Sequence, residues 1–380
     1  MDSEAVARLA GHEVTHGSSD DPDVLDFSAN VNPEVPDGVA AVSERALTDS
    51  RSYPPEEYPA YREAASEYID AATEHSLVTD QVVPTAGGLA AIRLATAVTV
   101  DPGDRALVPA PSFGEYAREV ELQGGEPVVV AHDEILDRDP AEFALAVVCN
   151  PNNPTGDAYN HAALAEFAER CRATGTPLLV DEAFLGFTDR PSLAGEPGVV
   201  VARSLTKLFG LPGLRAGFAV ATGDLRGRIA TANVTWALGT PAAAVGAHCL
   251  GRDEFVAETR ERVRSERERL RTAFEGNPRF SVVEPVSPLE RSSAPFLLLD
   301  CGSRERVDAV LAAAERDGVA LRDARSFRGL DSHIRVAVRL PAENDRLLAA
   351  LGVGDENGDS DGSGDSAGVG DGSGGADVRE

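Results

Sequence analysis

The chain has 380 residues, of which 42% are hydrophobic, so it is long enough for two lobes that share a buried core. Its formal net charge of -28 disfavours binding to nucleic acid or to anionic membranes and fits a protein adapted to high salt. The chain shows neither an apolar run of about 18 residues nor an apolar N-terminal segment, so we expect no transmembrane helix, no secretion signal and a cytoplasmic location.

From about residue 80, short apolar runs alternate with helical patterns, which is typical of βαβ units and a mostly parallel sheet. The runs are rich in Val, Leu and Ala, as expected for strands that helices cover on both faces. The helices predicted between them are Leu89–Val98, Phe113–Leu122 and Ala162–Thr174. The seven predicted strands are Gln81–Pro84, Arg105–Pro109, Glu126–Val130, Leu145–Asn150, Pro177–Asp181, Val199–Ser204 and Ala216–Ala221. We therefore expect an α/β fold built on a seven-stranded sheet.

After about residue 245 the pattern changes to that of a small α+β lobe. Its predicted helices are Glu254–Phe274, Arg306–Arg316 and Glu343–Leu351. Its predicted strands lie near Phe280–Val283, Phe296–Leu299, Val319–Arg322 and Ile334–Arg339. We accordingly expect an N-terminal arm at 1–40, a large domain at 41–245 and a small domain at 246–351. The Gly-, Asp- and Ser-rich tail 352–380 is predicted to be disordered.

The chain contains a single lysine, Lys207, within the run Arg203-Ser204-Leu205-Thr206-Lys207. Arginine can replace lysine at the surface and in ion pairs, but it cannot be deprotonated to a nucleophilic amine. The survival of one lysine therefore indicates that its amine has a chemical role.

Three further segments around this lysine have the composition of a binding site. The string Asn150–Gly156 (Asn-Pro-Asn-Asn-Pro-Thr-Gly) follows an apolar strand and predicts a turn of unusual specificity. Asp181 ends a strand, where a carboxylate points into the ligand crevice of an open α/β sheet. The run Thr85–Leu89 joins a strand to a helix whose N-terminus can cradle a phosphate.

This ordered set resembles the fold-type-I enzymes that use pyridoxal 5′-phosphate (PLP), in the class I/II aminotransferase branch, over almost the whole chain except the tail. The resemblance implies that Lys207 holds PLP covalently and later moves protons. It also implies that Asp181 pairs with the pyridinium nitrogen, which keeps the ring an electron sink. The other implied cofactor contacts are Phe113 stacked on the ring, Tyr116 behind it, Asn153 at the ring hydroxyl, Gly87, Gly88, Leu89, Ser204 and Arg215 at the phosphate, and Tyr53 from the neighbouring subunit of a homodimer.

Within that branch, the chain resembles the threonine-phosphate decarboxylases of cobalamin biosynthesis, through the segments His16-Gly17, Asp26–Pro33, Arg203–Arg215 and Gly329–Arg339. The resemblance implies decarboxylation of L-threonine O-3-phosphate to (R)-1-amino-2-propanol O-2-phosphate. The carboxylate and phosphate of this substrate need cationic partners. The expected contacts are Arg335 at the carboxylate, Arg322 and His16 at the phosphate, and Asn32 and Arg339 as further members of the same site.

Histidinol-phosphate aminotransferase is the alternative, because it also binds a phosphorylated amine. The run Ser28–Pro33 and Phe184, which replaces a tyrosine of many aminotransferases, favour the decarboxylase. A PLP-binding regulator is disfavoured, since residues 1–40 are too short and acidic for a helix-turn-helix. The four cysteines are scattered without a CxxC pair, so no metal site is indicated.

Overall fold

The structure is a computed structural model that describes residues 1–354 apart from residues 13, 16, 74, 75, 287 and 288. Within these residues the strands are β1 (Leu25–Asp26), β2 (Val82–Thr85), β3 (Arg105–Ala110), β4 (Glu126–Ala131), β5 (Leu145–Cys149), β6 (Asp157–Tyr159), β7 (Leu178–Asp181), β8 (Val199–Ser204), β9 (Gly217–Val220), β10 (Ser281–Val282), β11 (Leu289–Arg291), β12 (Phe296–Asp300), β13 (Val319–Ala320), β14 (Arg322–Asp323) and β15 (His333–Ala337).

The α-helices of the same residues are α1 (Ser3–Arg8), α2 (Val39–Asp49), α3 (Pro59–Asp70), α4 (Gly88–Ala97), α5 (Glu115–Leu122), α6 (His161–Thr174), α7 (Leu205–Leu208), α8 (Gly223–Ala232), α9 (Thr240–Leu250), α10 (Asp253–Glu275), α11 (Arg304–Arg316) and α12 (Pro341–Ala350). Short 3₁₀ helices lie at Thr79–Gln81, His132–Asp137, Pro140–Glu142, Leu185–Phe187, Pro212–Leu214 and Ala324–Ser326. In the described part of the chain, every helix is too short or too polar to cross a bilayer.

Seven strands form the central sheet, in the order β2-β9-β8-β7-β5-β3-β4. Six of them run in one direction, and β9 is antiparallel to both of its neighbours. The predicted α/β class with a mostly parallel sheet is therefore confirmed. Each of the seven predicted strands is present, with its ends shifted by at most one residue.

The two faces of this sheet belong to two separate hydrophobic cores. Along β5, for example, Ala146 and Val148 pack in one core while Leu145 and Val147 pack in the other. Every residue of β5 and β7 is buried. Burial on both faces explains why these strands are continuous apolar runs in the sequence.

A second, antiparallel sheet has the order β10-β12-β15-β14. The single strand predicted at Val319–Arg322 was wrong, because the chain changes sheets at Leu321. On one side of Leu321, β13 pairs in parallel with β1, and on the other side β14 pairs with β15. The N-terminal part of the chain is thereby held beside the second sheet. The domain boundaries at residues 40 and 245 stay a prediction, and most of the predicted tail lies outside the described residues.

Candidate active site

The carboxyl ends of five central strands meet at one edge of the sheet, where a cavity of about 400 Å³ opens. The segments that follow β2, β3, β5 and β8 bring Gly88, Phe113, Asn153 and Lys207 to its wall, and β7 brings its last residue, Asp181. In open α/β sheets, ligands bind outside the carboxyl ends of the strands. The fold thus brings together residues that the sequence holds far apart.

Lys207 lies on the short helix α7 and lines the cavity. Burial, together with the positive charges of Arg335 and Arg215, lowers the pKa of its amine from 10.5 to about 8. Only the neutral amine is a nucleophile, and a pKa near 8 leaves an appreciable neutral fraction at neutral pH. The amine is therefore prepared to attack a carbonyl carbon in the cavity.

Asp181 is held from two sides. Its Oδ2 accepts a hydrogen bond of 2.6 Å from the Tyr116 hydroxyl, and its Oδ1 accepts one of 2.9 Å from the backbone N–H of Ala183. Burial raises the pKa of Asp181, while these two hydrogen bonds oppose the rise. Burial also raises the pKa of Tyr116, which keeps its hydroxyl a donor. A cation beside this carboxylate would offset the cost of burying its charge, as a pyridinium nitrogen would.

The start of α4 forms an anion cradle. Gly87 precedes the helix with φ of +86°, and a Cβ there would lie 2.8 Å from Nη2 of Arg215. A Cβ at Gly88 would lie 3.2 Å from Cβ of Ser204. The first N–H groups of a ten-residue helix, a hydroxyl and a guanidinium thus converge on a space that a side chain would fill, and Leu89 lines the same cavity. Such a donor set suits a phosphate dianion. Together with the amine and the carboxylate, it fits PLP, the cofactor that the sequence resemblance implies.

Two aromatic side chains, Phe113 and Phe184, form part of the cavity wall. Phe113 lines the cavity and meets Tyr116 edge to face, with ring centroids 5.6 Å apart. Phe184 lines it as well and packs edge to face on Phe296. Asn153 accepts a hydrogen bond from Arg335 through its Oδ1. Its amide nitrogen is therefore the group that can donate to an oxygen of a bound cofactor.

Two buried arginines form the opposite wall of the cavity. Arg322 and Arg335 are register partners on the antiparallel strands β14 and β15, and they are only 6% and 5% exposed. Arg335 donates to the Ser28 carbonyl at 2.6 Å, and Arg322 donates to the Thr15 carbonyl at 2.6 Å and to Oγ of Ser326 at 2.8 Å. These hydrogen-bond partners are neutral. Among the described residues no carboxylate forms an ion pair with either arginine, and Asp323 and Asp26 act on them only through their longer-range charge. Burial and the charge of Arg322 lower the pKa of Arg335 to about 9. The wall is built to receive anions.

Two of the predicted substrate contacts, Asn32 and Arg339, are not among the residues that line the cavity. The side chain of Asn32 points away from the cavity, where its Nδ2 donates to the Leu208 carbonyl at 2.8 Å and its Oδ1 accepts from Arg262 at 2.6 Å. Arg339 forms an ion pair with Glu343 at 3.1 Å. Because their polar atoms are already used inside the protein, neither side chain lines the cavity.

Of the two remaining predicted contacts, Tyr53 does not line the cavity of its own chain. Tyr53 is 77% exposed and stacks on Trp236, with ring centroids 4.2 Å apart. Its contact with the cofactor of a second subunit stays a prediction. His16, predicted to contact the substrate phosphate, lies outside the described residues.

Asn30 was missed in the sequence. It lines the cavity and is 2% exposed, and neither polar atom of its side chain has a hydrogen-bond partner among the residues described. A buried amide without partners is costly unless a ligand completes it. The only sequence signal was its place in the same Asn30-Val31-Asn32 run, in which Asn32 was chosen instead. Phe327, which stacks on the guanidinium of Arg322 at 5.2 Å, was also missed.

Comparison with known proteins extends over most of the chain. Residues 22–351 match the family Aminotransferase class I and II. The chain is 31% identical over 337 residues to histidinol-phosphate aminotransferase 1 of Archaeoglobus fulgidus, covering 86% of this chain and 98% of that relative. It is 30% identical over 352 residues to the threonine-phosphate decarboxylase of Salmonella typhimurium, covering 86% of this chain and 90% of that relative.

The fold is similar to the crystal structure of histidinol-phosphate aminotransferase from Sinorhizobium meliloti in complex with pyridoxal-5′-phosphate. The TM-score is 0.76 at 20% identity, and the match covers 92% of this chain and 93% of that one. An aminotransferase and a decarboxylase are thus equally similar in sequence, and overall similarity does not choose between the two reactions.

Proposed function

The chain belongs to the aminotransferase class I and II family, and we propose that it decarboxylates L-threonine O-3-phosphate in cobalamin biosynthesis. Its cofactor is pyridoxal 5′-phosphate. The products are (R)-1-amino-2-propanol O-2-phosphate and carbon dioxide. In this reaction the bond between Cα and the carboxylate carbon breaks, carbon dioxide leaves, and one proton returns to Cα.

The observation that carries the proposal is the pair of buried arginines opposite the amine. Arg322 and Arg335 offer two positive charges that form no ion pair with a carboxylate in the described part of the chain, within one cavity that also contains Lys207. L-Threonine O-3-phosphate carries two anionic groups flanking one amine. Histidinol phosphate carries only one anionic group, so it would leave one buried guanidinium without an anionic partner. That difference favours the decarboxylase, because an unpaired buried charge is costly.

The two arginines also set the orientation of the substrate. Arg335, fixed by Ser28 and Asn153, would bind the carboxylate. Arg322 would bind the phosphate together with the amide of Asn30, which has no hydrogen-bond partner among the described residues. Planar guanidinium groups bind carboxylate and phosphate through paired N–H bonds, which fixes rotation as well as position. Two such anchors side by side on one wall would fix the rotation of the substrate about Cα and so select the bond to the carboxylate as the one that breaks.

When bound, PLP supplies the electron sink that accepts the electron pair of the broken bond. The carboxylate of Asp181 would supply the negative charge beside the ring nitrogen. The Tyr116 hydroxyl holds this carboxylate in place through a hydrogen bond of 2.6 Å. Lys207 would hold the cofactor, and its amine could return the proton to Cα. Its pKa of about 8 lets it hold or release a proton near neutral pH, as a general acid needs to do.

Histidinol-phosphate aminotransferase remains the second candidate, on one specific observation. The relative from Archaeoglobus fulgidus is 31% identical to the chain and is covered over 98% of its length. A transaminase would also use two anchors when its amino donor is a dicarboxylic amino acid. The two candidates differ, however, in what leaves Cα: a proton in transamination, and carbon dioxide in the proposed reaction.

The deciding experiment supplies the purified holoenzyme with L-threonine O-3-phosphate labelled at the carboxylate carbon, without any 2-oxo acid. We expect labelled carbon dioxide in stoichiometric amount with (R)-1-amino-2-propanol O-2-phosphate. Matched reactions contain histidinol phosphate with 2-oxoglutarate. Turnover in the second reaction alone would establish the aminotransferase and overturn the decarboxylase.

We further propose a homodimer in which Tyr53 of each subunit completes the site of the other. Tyr53 is exposed in the single chain, beside the exposed Trp236 and away from the cavity of its own subunit. Mixing inactive Lys207→Ala and Tyr53→Ala subunits should therefore restore activity, because one site of each hybrid dimer is intact. Activity that stays absent in refolded mixtures would contradict shared sites.

A further inference from the structure

We infer that Asn32 is a positioning residue, which fixes the backbone at Lys207 and so sets the place of its amine relative to Arg335. The inference deepens the proposed function and rests on it in one respect, namely that Lys207 anchors the cofactor. It replaces the substrate contact that the sequence predicted for Asn32.

The first observation is that Asn32 holds two consecutive carbonyl groups of the lysine segment. Its backbone N–H donates to the Lys207 carbonyl at 2.9 Å, and its side-chain Nδ2 donates to the Leu208 carbonyl at 2.8 Å. The helix α7 has only four residues, so its last carbonyls cannot be satisfied within the helix. Asn32 supplies the donors that this short helix lacks, and it does so from a distant part of the chain.

The second observation is that the amide of Asn32 has only one workable orientation. Its Oδ1 accepts from Nη2 of Arg262 at 2.6 Å, which requires the oxygen to face α10. The nitrogen is then directed at Leu208 and at Oγ1 of Thr259, 3.3 Å away. Asn32 is buried, and Arg262 is itself held by Glu34 at 3.2 Å. A buried, charge-assisted hydrogen bond is stronger than a neutral one, so the orientation is well fixed.

The third observation is that the same segment holds the arginine wall. The Ser28 carbonyl accepts from Nη2 of Arg335 at 2.6 Å, while Ala29 and Asn30, which come next, line the cavity. The five residues from Ser28 to Asn32 thus connect the anion-binding guanidinium to the backbone of Lys207. They act as a spacer between the two groups.

Close packing keeps the spacer against the lysine segment. Gly210, two residues beyond α7, has φ of +67°, and a Cβ there would lie 2.3 Å from the Glu34 carbonyl and 2.8 Å from the Asn32 carbonyl. The approach of the two backbones is therefore as close as a glycine allows. Loss of the Asn32 side chain would release one of the two hydrogen bonds to α7 without filling the space. A shift of about 1 Å at a reacting group can cost up to about 100-fold in rate.

The test compares Asn32→Ala with the wild-type holoenzyme in three measurements: the cofactor content, the pH midpoint of the cofactor's visible absorption, and the steady-state constants. We expect full cofactor content, since the phosphate cradle is unchanged. We expect kcat to fall about 10-fold to 100-fold with KM changed less than about 3-fold. The pH midpoint should rise by more than about 0.5 unit, because it reports protonation of the nitrogen that links Lys207 to the cofactor, and a less constrained, better hydrated nitrogen holds its proton more tightly.

Asn344→Ala is the matched control. Asn344 is an equally buried asparagine that donates to Glu266 at 2.8 Å and to the Arg339 carbonyl at 3.1 Å, and it does not contact the lysine segment. It should lower the melting temperature and leave the pH midpoint unchanged. If Asn32→Ala behaves like this control, the positioning role is refuted. A rise in KM alone would refute it too and would return Asn32 to the substrate site.

A second variant and a wild-type control separate loss of folding and failure of the proposed function from loss of positioning. If Asn32→Ala is insoluble, Arg262→Gln carries the same test, since it removes the group that orients the amide; an unchanged midpoint there overturns the inference. If the wild-type protein shows no visible absorption of bound cofactor, or if borohydride does not attach the cofactor to Lys207, the proposed function has failed. That failure is detected before any Asn32 variant is measured.

Discussion

Arg322 and Arg335 face each other directly across two antiparallel strands, and both guanidinium groups are buried at the wall of one cavity. Like charges directly opposite each other destabilise a sheet. Phe327 relieves part of this cost, because its ring lies 5.2 Å from one guanidinium and 5.9 Å from the other. A bound anion would offset the repulsion that remains between the two guanidinium groups.

The first prediction is that anions stabilise the holoenzyme through this pair. At a concentration of about 100 times its dissociation constant, inorganic phosphate should raise the free energy of unfolding by about 2.7 kcal/mol. Arg322→Gln should abolish most of the increase, measured as a shift in melting temperature. The control is Arg325→Gln, because Arg325 is already paired with Asp323 and Asp308. Equal shifts in the two variants would argue against an anion site at Arg322.

The second prediction concerns pH. Burial lowers the pKa of Lys207 from 10.5 to about 8, and only the neutral amine attacks the aldehyde of PLP. Below about pH 8, the rate at which the apoprotein binds PLP covalently should therefore rise about 10-fold per pH unit, and it should level off above that value.

The appearance of the visible band after rapid mixing measures this rate. A free N-acetyl-lysine solution gives the reference, in which the rise continues to the ordinary pKa of lysine near 10.4. If the rate for the protein reaches its plateau only above about pH 10, the pKa of the Lys207 amine is not lowered.

The third prediction tests the hydrogen bond between Tyr116 and Asp181. Tyr116→Phe removes a 2.6 Å donor to the carboxylate, which raises the pKa of Asp181 further and weakens its negative charge. We expect kcat to fall about 10-fold, in keeping with a hydrogen bond to a charged group of about 1.5 kcal/mol. Tyr61→Phe is the comparison, since the buried Tyr61 donates to the Gly217 carbonyl at 3.0 Å away from Asp181. A similar loss of kcat in both variants would point to general packing.

The fourth prediction is that Lys207→Ala loses the visible absorption of bound cofactor and its fixation by borohydride. Lys207→Arg should lose both as well, although it keeps the positive charge, because a guanidinium does not form the covalent link. Far-ultraviolet circular dichroism should be unchanged, which separates lost chemistry from lost folding. Retention of a borohydride-fixed cofactor in either variant would move the attachment to another group.

Much of the fold could be predicted from the sequence because its central strands are covered on both faces. Such strands are unbroken apolar runs, and the motif residues stand at their ends. The region before residue 80 was not assigned, although α3 begins at Pro59 and buries Tyr61, Ala65 and Ile69 at helical spacing. That signal was present and was overlooked. Helix α9, by contrast, consists mostly of small apolar residues on all sides, so its sequence shows little helical periodicity of hydrophobic and polar residues.

The site was predictable where a residue's chemistry is unusual and unpredictable where tertiary geometry decides. Lys207 and Asp181 follow from their type and position. The choice between Asn30 and Asn32 does not, because a tight turn from the Val31 N–H to the Ala29 carbonyl sends the two amides to different sides. Arg339 was misplaced for a similar reason, since β15 ends at Ala337 and the chain turns away before it.

The burial of the single lysine has a practical consequence. Apart from the α-amino group of Met1, the ε-amine of Lys207 is the only primary amine on the chain. An amine-directed dye applied to the apoprotein can therefore label one interior position, and the labelling rate reports how readily a reagent reaches the cavity. Mass spectrometry of the single Lys207 adduct would then compare access to the cavity with and without substrate.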